Sequence, residues 1–156
     1  MILEASLAFA LLVGAQPQPG SVADLTSRPL WIVSMDDGTL SAIDIPPASA
    51  APSAPVPVTF WLFLPMEDGF DTMAGALVVD CSAGNFVTTS FSGFSGATYL
   101  GTSVATNTQP QAIESGTFYG AMLDHVCVPT ELARPAPDLT DFTQGQPAFQ
   151  SRRAGG

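Results

Sequence analysis

Two cysteines, Cys81 and Cys127, constrain the fold of this chain more than any other feature. They are the only cysteines among its 156 residues, and a disulfide between them would close a loop of 46 residues. In an exported protein an even pair of cysteines is most simply one disulfide. On the chain-entropy model a loop of that length adds about 4 kcal/mol to the stability of the folded state, which is a large share for a small domain.

Metal or redox chemistry is less favoured at these cysteines. The only histidine, His125, lies two positions before Cys127 on a predicted helix. Side chains at i and i+2 of a helix diverge, so these residues do not form a zinc site. A redox pair is more often a C-x-x-C motif. We therefore predict a structural disulfide between Cys81 and Cys127.

The N-terminus has the pattern of a secretory signal peptide. An apolar run extends from Ala5 to Ala15 and ends in small residues that suit signal peptidase. The run is shorter than the ~20 residues that span a bilayer, and no later run is longer. We therefore predict a signal peptide at residues 1–15 and a secreted or periplasmic mature protein with no transmembrane segment.

The chain is strongly acidic, and its few basic residues lie towards its ends. It has 14 acidic residues against 4 basic ones, a formal net charge of −10. The basic residues are Arg28, Arg134, Arg152 and Arg153. Such a surface repels phosphate groups, so we expect no nucleic acid as a partner. A cationic protein is a partner that this charge would attract, although the charge also serves solubility alone.

Six strands are indicated by apolar and alternating runs. "LWIVSM" and "LSAID" flank "DDGT", a hairpin signal because Asp-Gly accepts the positive φ of a tight turn. After a proline-rich connection, "VTFWLFL" at residues 58–64 is almost continuously apolar, which indicates a strand covered on both faces. Its aromatic residues, Phe60, Trp61 and Phe63, are expected in the core. "TMAGALVVD" follows as the fourth strand, and "FVTTSF" and "ATYLGTS" alternate as half-buried antiparallel strands.

One short helix is predicted at about residues 117–127, where apolar residues recur at steps of three to four. The available N-caps are Ser115 and Thr117. We expect Phe118 and Met122 to pack on strand residues such as Phe60 or Val78. The predicted disulfide would tie this helix to the end of the fourth strand.

The segments on either side of the strands and helix show no periodicity. Residues 16–29 are polar and spaced by proline and glycine, which predicts a flexible leader without its own structure. Residues 130–156 have scattered apolar side chains, which predicts a disordered tail. The ordered domain is therefore predicted at residues 30–129.

The order of the motifs, W-I-V, D-G-T-L, I-D, V-V-D-C and I-E-S-G-T-F-Y before V-C, resembles the surface-adhesin protein E-like family of Gram-negative envelopes. The resemblance covers residues 30–129 and implies an α+β fold, a six-stranded antiparallel sheet with one C-terminal helix packed on its concave face and tied by a disulfide. It places Cys81 and Cys127 at the family's bridge and Trp31, Asp44 and Asp80 at other recurring positions. It implies a periplasmic or secreted protein of a Gram-negative cell envelope. Unlike members that hold host proteins through basic segments, this domain has no basic residue.

Motifs that suggest catalysis or metal binding have simpler structural explanations. Asp124 and His125 are neighbours on the predicted helix and point apart, so they do not form a catalytic pair. "SGFSG" imitates a nucleophile elbow but lies between strands, with no helix after it. "DDGT" and "MEDGFD" cluster carboxylates without the calcium-loop pattern. We expect no catalytic residue, no cofactor and no metal ligand, and therefore no enzyme.

The expected function is a non-enzymatic binding or envelope module whose partner is a protein or a small apolar ligand held between sheet and helix. The alternative is an acidic inhibitor or sequestering domain for a cationic exported enzyme, of the lysozyme-inhibitor type. The acidic charge favours this alternative because it would attract such an enzyme. Salt-sensitive binding to a basic protein would distinguish the alternative from the first hypothesis.

Overall fold

The six apolar and alternating runs form the six strands of one antiparallel sheet, as predicted. The computed structural model describes residues 22–36, 38–47, 50–67, 69–130 and 136–155. The predicted signal peptide, residues 1–15, lies outside the described residues. No helix in these ranges is long and apolar enough to cross a membrane.

The strands lie in the sheet in the order in which they occur in the chain, so each pairs antiparallel with its sequence neighbours. They are β1 (Trp31–Met35), β2 (Leu40–Ile43), β3 (Val56–Glu67), β4 (Phe70–Asp80), β5 (Asn85–Ser95) and β6 (Thr98–Val104). A seventh strand, β7 (Gln111–Ala112), pairs with β5 beside β6 and was not predicted from the sequence. The helical elements are α1 (Val22–Thr26), α2 (Phe118–Cys127), a 3-10 turn (Phe142–Gln144) and α3 (Gly145–Ala154).

Strand β3 is covered on both faces, as its continuous apolar run predicts. Side chains alternate along a strand, so Phe60 faces one side of the sheet while Trp61 and Phe63 face the other. All three are fully buried. Gly75 lies opposite Phe60 in β4, and a Cβ at this position would come within 2.1 Å of the Phe60 ring. The sheet is therefore the middle of three layers, with helices on both sides.

Helix α2 covers the Phe60 face, and the helix predicted at about residues 117–127 is confirmed. Thr117 is the N-cap, since its side chain accepts a hydrogen bond from the backbone N–H of Gly120 at 3.0 Å. The ring of Phe118 meets that of Phe60 edge to face, with centroids 5.7 Å apart. The buried side chains of this layer are Ile43, Val58, Phe60, Leu77, Val79, Phe86, Met122, Leu123 and Val126.

The expected contact with Val78 is wrong. Val78 stands between Leu77 and Val79 in β4, and both of these neighbours belong to the buried cluster under α2. Because successive side chains of a strand point to opposite faces, Val78 faces away from α2. An error of one residue in a strand transfers a side chain to the other layer.

The Trp61 face is covered by the 3-10 turn and α3, so the predicted disorder of residues 130–156 is wrong for residues 136–155. Phe142 stacks on Trp61 with ring centroids 4.9 Å apart, and Phe149 is fully buried in the same cluster. Gly145 lies so close to Phe63 that a Cβ would come within 2.1 Å of its ring. A few aromatic anchors order this segment against the sheet, although the segment lacks a continuous apolar pattern.

The predicted leader, residues 16–29, is also ordered where the structure describes it. Leu25 of α1 is buried in the cluster that contains Trp61 and Phe149. Arg28 donates to the carboxylate of Asp44 at 2.6 Å. Residues 22–29 are therefore ordered against the sheet, with Leu25 in the Trp61 layer, and the prediction of a flexible leader is wrong for them. Residues 16–21 lie outside the described residues.

Candidate functional site at the open edge of the sheet

The predicted disulfide is present and ties α2 to the sheet. Cys81 directly follows β4 and Cys127 is the last residue of α2, with the two Cα atoms 5.4 Å apart. Within the described part of the chain no cysteine is free. The bridge therefore supports the layer that contains Phe60.

Asp44 has a structural role next to β2. Its carboxylate accepts the backbone N–H of Thr59 at 2.8 Å and the guanidinium of Arg28 at 2.6 Å, and its side chain is almost completely buried. The backbone N–H of Asp44 donates to the carbonyl of Thr59. These bonds extend the pairing of β2 with β3 and fasten residue 28 to the sheet.

Trp31 and Asp80 lie in other parts of the sheet. Trp31 is buried at the start of β1, opposite Ile43 of β2. Asp80 is the last residue of β4, and its carboxylate accepts the backbone N–H of Ala83 in the following turn at 3.0 Å. Trp31, Asp44 and Asp80 thus lie in or next to three different strands, and their hydrogen bonds and pairings serve the fold locally. The structure does not bring them together as one site.

Several of the candidate catalytic and metal-binding side chains have hydrogen-bond partners within the fold. His125 is half-buried and its Nε2 donates to the carbonyl of Ile45 at 3.2 Å, while Asp124 is exposed. Asp36 accepts two backbone N–H groups of its own turn. Asp71 is buried and accepts the backbone N–H of Gly96 at 3.0 Å. Among the described residues, no three His, Cys, Asp or Glu side chains are grouped so that they could hold a metal ion.

The two edges of the sheet differ in how they are covered. At the β1 edge, Leu30 and Leu139 exchange backbone hydrogen bonds of 2.9 and 3.0 Å. The N–H of Ile32 in β1 donates to the carboxylate of Asp138 at 2.8 Å. The C-terminal segment therefore satisfies part of this edge, which is one way in which proteins protect an edge strand.

At the opposite edge, β6 is open. Over the residues that the structure describes, no strand pairs with the outer side of β6. Three of its apolar side chains are exposed: Tyr99 by 41%, Leu100 by 55% and Val104 by 71%. The strand contains no proline and no charged residue, the usual devices that keep an edge from pairing with another chain. β6 is therefore the part of the described surface best suited to accept another strand.

The backbone groups that face outward on β6 follow from its pairing with β5. The N–H of Ala105 donates to the carbonyl of Thr89, one step beyond the Val104–Ser90 pair. In an antiparallel ladder, hydrogen-bonded and non-hydrogen-bonded pairs alternate. The backbone N–H and C=O groups of Val104 and of Thr102 therefore point away from β5. They form two donor and acceptor pairs on the open edge.

Side chains on β6 form a small surface around these groups. The hydroxyl of Thr102 lies 2.7 Å from that of Ser92 and 2.6 Å from the phenol oxygen of Tyr99. The Tyr99 ring packs on the buried ring of Phe94, with centroids 5.7 Å apart. Leu100 stands opposite no residue of β5, because the register shifts at this point. The hydroxyl contacts hold Tyr99 and Thr102 in place beside the edge.

The segment of the chain that contains β6 is uncharged. From Cys81 to Ile113 the sequence contains no Asp, Glu, Lys, Arg or His, although the chain as a whole has a net charge of −10. This segment includes β5, β6 and β7. The gap in charge is visible in the sequence and could have indicated this surface, but only the strand order shows that β6 lies at an edge.

Comparisons with known proteins give no family for the chain. No protein-family model matches it. Searches of curated proteins and of solved structures also gave no match.

Proposed function

We propose that this protein is a non-enzymatic binding module, periplasmic or secreted, that takes up an extended polypeptide segment as an added strand on β6. The observation that carries the proposal is the open edge, with its outward backbone groups at Thr102 and Val104. In such complexes main-chain hydrogen bonds supply affinity, and alternate side chains supply specificity. The disulfide and the resemblance to surface-adhesin protein E-like domains support the exported setting.

The chemistry of the edge favours an uncharged partner segment. A basic segment would find no carboxylate on β6, and an acidic one would find no cation there. The exposed side chains of Tyr99 and Val104 favour apolar residues at alternate positions of the added strand. This proposal differs from the sequence-based alternative, an inhibitor of a cationic enzyme, in the charge that it assigns to the partner.

Binding at the edge is also favoured over binding between sheet and helix. Met122, Leu123 and Val126 of α2 are each about 1% exposed and fill the contact with the strands. In the surface-adhesin protein E-like family, which this chain resembles, the helix covers the concave face of the sheet. We propose the same curvature for the sheet of this protein. A small apolar ligand at this interface would have to displace close-packed side chains, which is costly.

Selection from a displayed library of random peptides of about ten residues, a length that matches a typical strand, tests the proposal. We expect the selected peptides to be uncharged with alternating apolar residues. We expect Val104→Lys to abolish their binding, because it places a charge at the edge. Val128→Lys is the matched control, since Val128 is also exposed but lies at the end of α2.

Basic peptides whose binding is lost at high salt would contradict this proposal and favour the inhibitor hypothesis. Peptides that bind equally well to the Val104→Lys and Val128→Lys variants would show that β6 is not the binding edge.

A further inference from the structure

We infer that the strand that pairs with β6 is β6 of a second copy of this chain, so that the protein forms a two-fold symmetric dimer with one continuous sheet. This inference rests on the proposed function, because it uses the same edge and names its occupant. It goes further in that it needs no other protein.

The outward backbone groups of β6 are complementary to themselves. With a two-fold axis at Ser103, Thr102 of one copy pairs with Val104 of the other, and each such pair exchanges two backbone hydrogen bonds. The two copies therefore form four hydrogen bonds in this register. The two-fold axis is perpendicular to the sheet, so the same patch of both copies meets itself, as an isologous interface requires, and equivalent faces of the two sheets lie on the same side.

The side chains fit the same register. Thr102 and Val104 are two residues apart, so they lie on one face of the strand. That face also carries Ser92, which pairs with Thr102, and Ser90, which pairs with Val104. Pairing with a second copy sets Val104, exposed by 71% in the single chain, beside the methyl group of Thr102. The association removes apolar surface from water on both copies.

Charge also favours a second copy at this position. Two chains that each carry a net charge of −10 repel one another, so surfaces that are free of acidic groups are where they associate at the lowest electrostatic cost. The uncharged segment from Cys81 to Ile113 is such a surface, and β6 is its outer strand. The described acidic side chains that are exposed lie before Asp80 or after Ile113 in the sequence.

The other edge limits the assembly to two copies. Among the described residues, the C-terminal segment already occupies part of the β1 edge, at Leu30 and Ile32, so β6 is the edge that each copy leaves open to a second strand. Two-fold pairing of two such edges consumes both. We therefore expect a closed dimer and no fibre.

Sedimentation equilibrium of the purified protein from about 1 µM to about 1 mM tests the inference. We expect the wild type to approach twice its monomer mass. Val104→Pro removes an outward N–H that β5 does not use, and Val104→Lys places a charge at the edge, so each should weaken the dimer at least about tenfold. Val128→Lys should associate like the wild type.

Circular dichroism shows whether each variant is folded. If Val104→Pro does not fold, the association of Val104→Lys decides whether β6 forms the dimer. Raising the salt concentration from about 50 mM to about 500 mM should not weaken the dimer, because no ion pair holds it. A wild type that stays monomeric up to about 1 mM would overturn the dimer, while the peptide selection would still decide the proposed function. A dimer that survives both Val104 substitutions, or assembly beyond two copies, would also overturn it.

Discussion

The two faces of the sheet are each covered by a helix of ten residues, but the two helices are held differently. α2 has a side-chain N-cap, three buried aliphatic or thioether side chains and a disulfide at its last residue. α3 has no side-chain cap and buries Phe149, with Phe142 in the turn before it. Isolated helices of this length are marginal in water, so both depend on contact with the sheet.

The difference predicts unequal stability of the two layers. A covalent bond keeps α2 near the sheet even when its contacts open, whereas α3 depends on aromatic burial and a few hydrogen bonds. The Trp61 layer also contains a buried indole N–H that has no hydrogen-bond partner among the described residues. An unsatisfied buried donor costs about 1 to 3 kcal/mol. We therefore expect α3 to separate from the sheet at a lower free energy than α2.

Phe149→Ala should have the largest effect, because Phe149 is fully buried and anchors α3. We expect a loss of stability of up to about 5 kcal/mol, from lost burial and from the cavity. Urea unfolding measures the loss, and hydrogen exchange should show faster exchange in α3 than in α2. Gln150→Ala, at an exposed position of the same helix, is the control. Equal stability of the Phe149 and Gln150 variants would show that α3 does not stabilise the sheet.

Replacing both Cys81 and Cys127 by alanine should act on the other layer. The loop of 46 residues corresponds to about 4 kcal/mol on the chain-entropy model. We expect the amides of α2 to lose protection from hydrogen exchange before those of the strands, while α3 keeps its protection. The comparison of α2 with α3 within one molecule serves as the control. If α2 stays as protected as in the wild type, the disulfide is not what distinguishes the two layers.

The same difference explains which parts of the fold could be predicted from sequence. α2 was found because its apolar residues have helical spacing and Thr117 precedes them. The buried face of the 3-10 turn and α3 has the helical spacing too, at Phe142, Gly145, Gln146 and Phe149, but glycine and glutamine occupy its middle positions. Gly145 is there because the Phe63 ring leaves no room for a side chain, and this is known only from the structure.

The sequence already implied that a second element must cover the sheet on the face opposite α2. The apolar run of β3 predicts burial on both faces, yet only one covering helix was predicted. The paired cysteines and the strands could be predicted because they depend on local pattern and on a single cross-link. The open edge could not be predicted from the sequence, because the position of β6 in the sheet depends on the pairing of all the strands. Its one visible signal was the absence of charge from Cys81 to Ile113.

Gln146→Ala should have a smaller effect on the α3 layer. The register of β3 against β4 shifts between Phe63 and Glu67, and the Gln146 amide donates there to the carbonyls of Leu64 at 2.9 Å and Asp71 at 2.6 Å. Loss of both bonds should cost about 1 to 2 kcal/mol. Gln146→Glu keeps the size but places a carboxylate beside two carbonyl oxygens, so urea unfolding should show at least as large a loss. A glutamate variant as stable as the wild type would rule out this role of the amide.

Tyr119→Phe should have the smallest effect, and only at high pH. Tyr119 stacks on Phe86 with ring centroids 4.7 Å apart, and desolvation by burial raises the pKa of its phenol above the ordinary value of 10.0. The unfolded chain therefore releases this proton at a lower pH than the folded chain. The stabilisation is complete below pH 10.0 and is lost as the pH rises through the higher folded pKa.

Urea unfolding across this pH range should therefore show a decline in stability that is steeper in the wild type than in Tyr119→Phe. Tyr99→Phe is the matched control, because Tyr99 lies on β6 and contacts the Trp61 layer through Phe94. Hydrogen exchange at high pH, corrected for the intrinsic rate, should place the extra opening in α2, since the ionised phenol sits between that helix and β5. The same decline in the Tyr119→Phe protein, or an opening confined to α3, would show that the Phe60 layer does not respond to pH through this phenol.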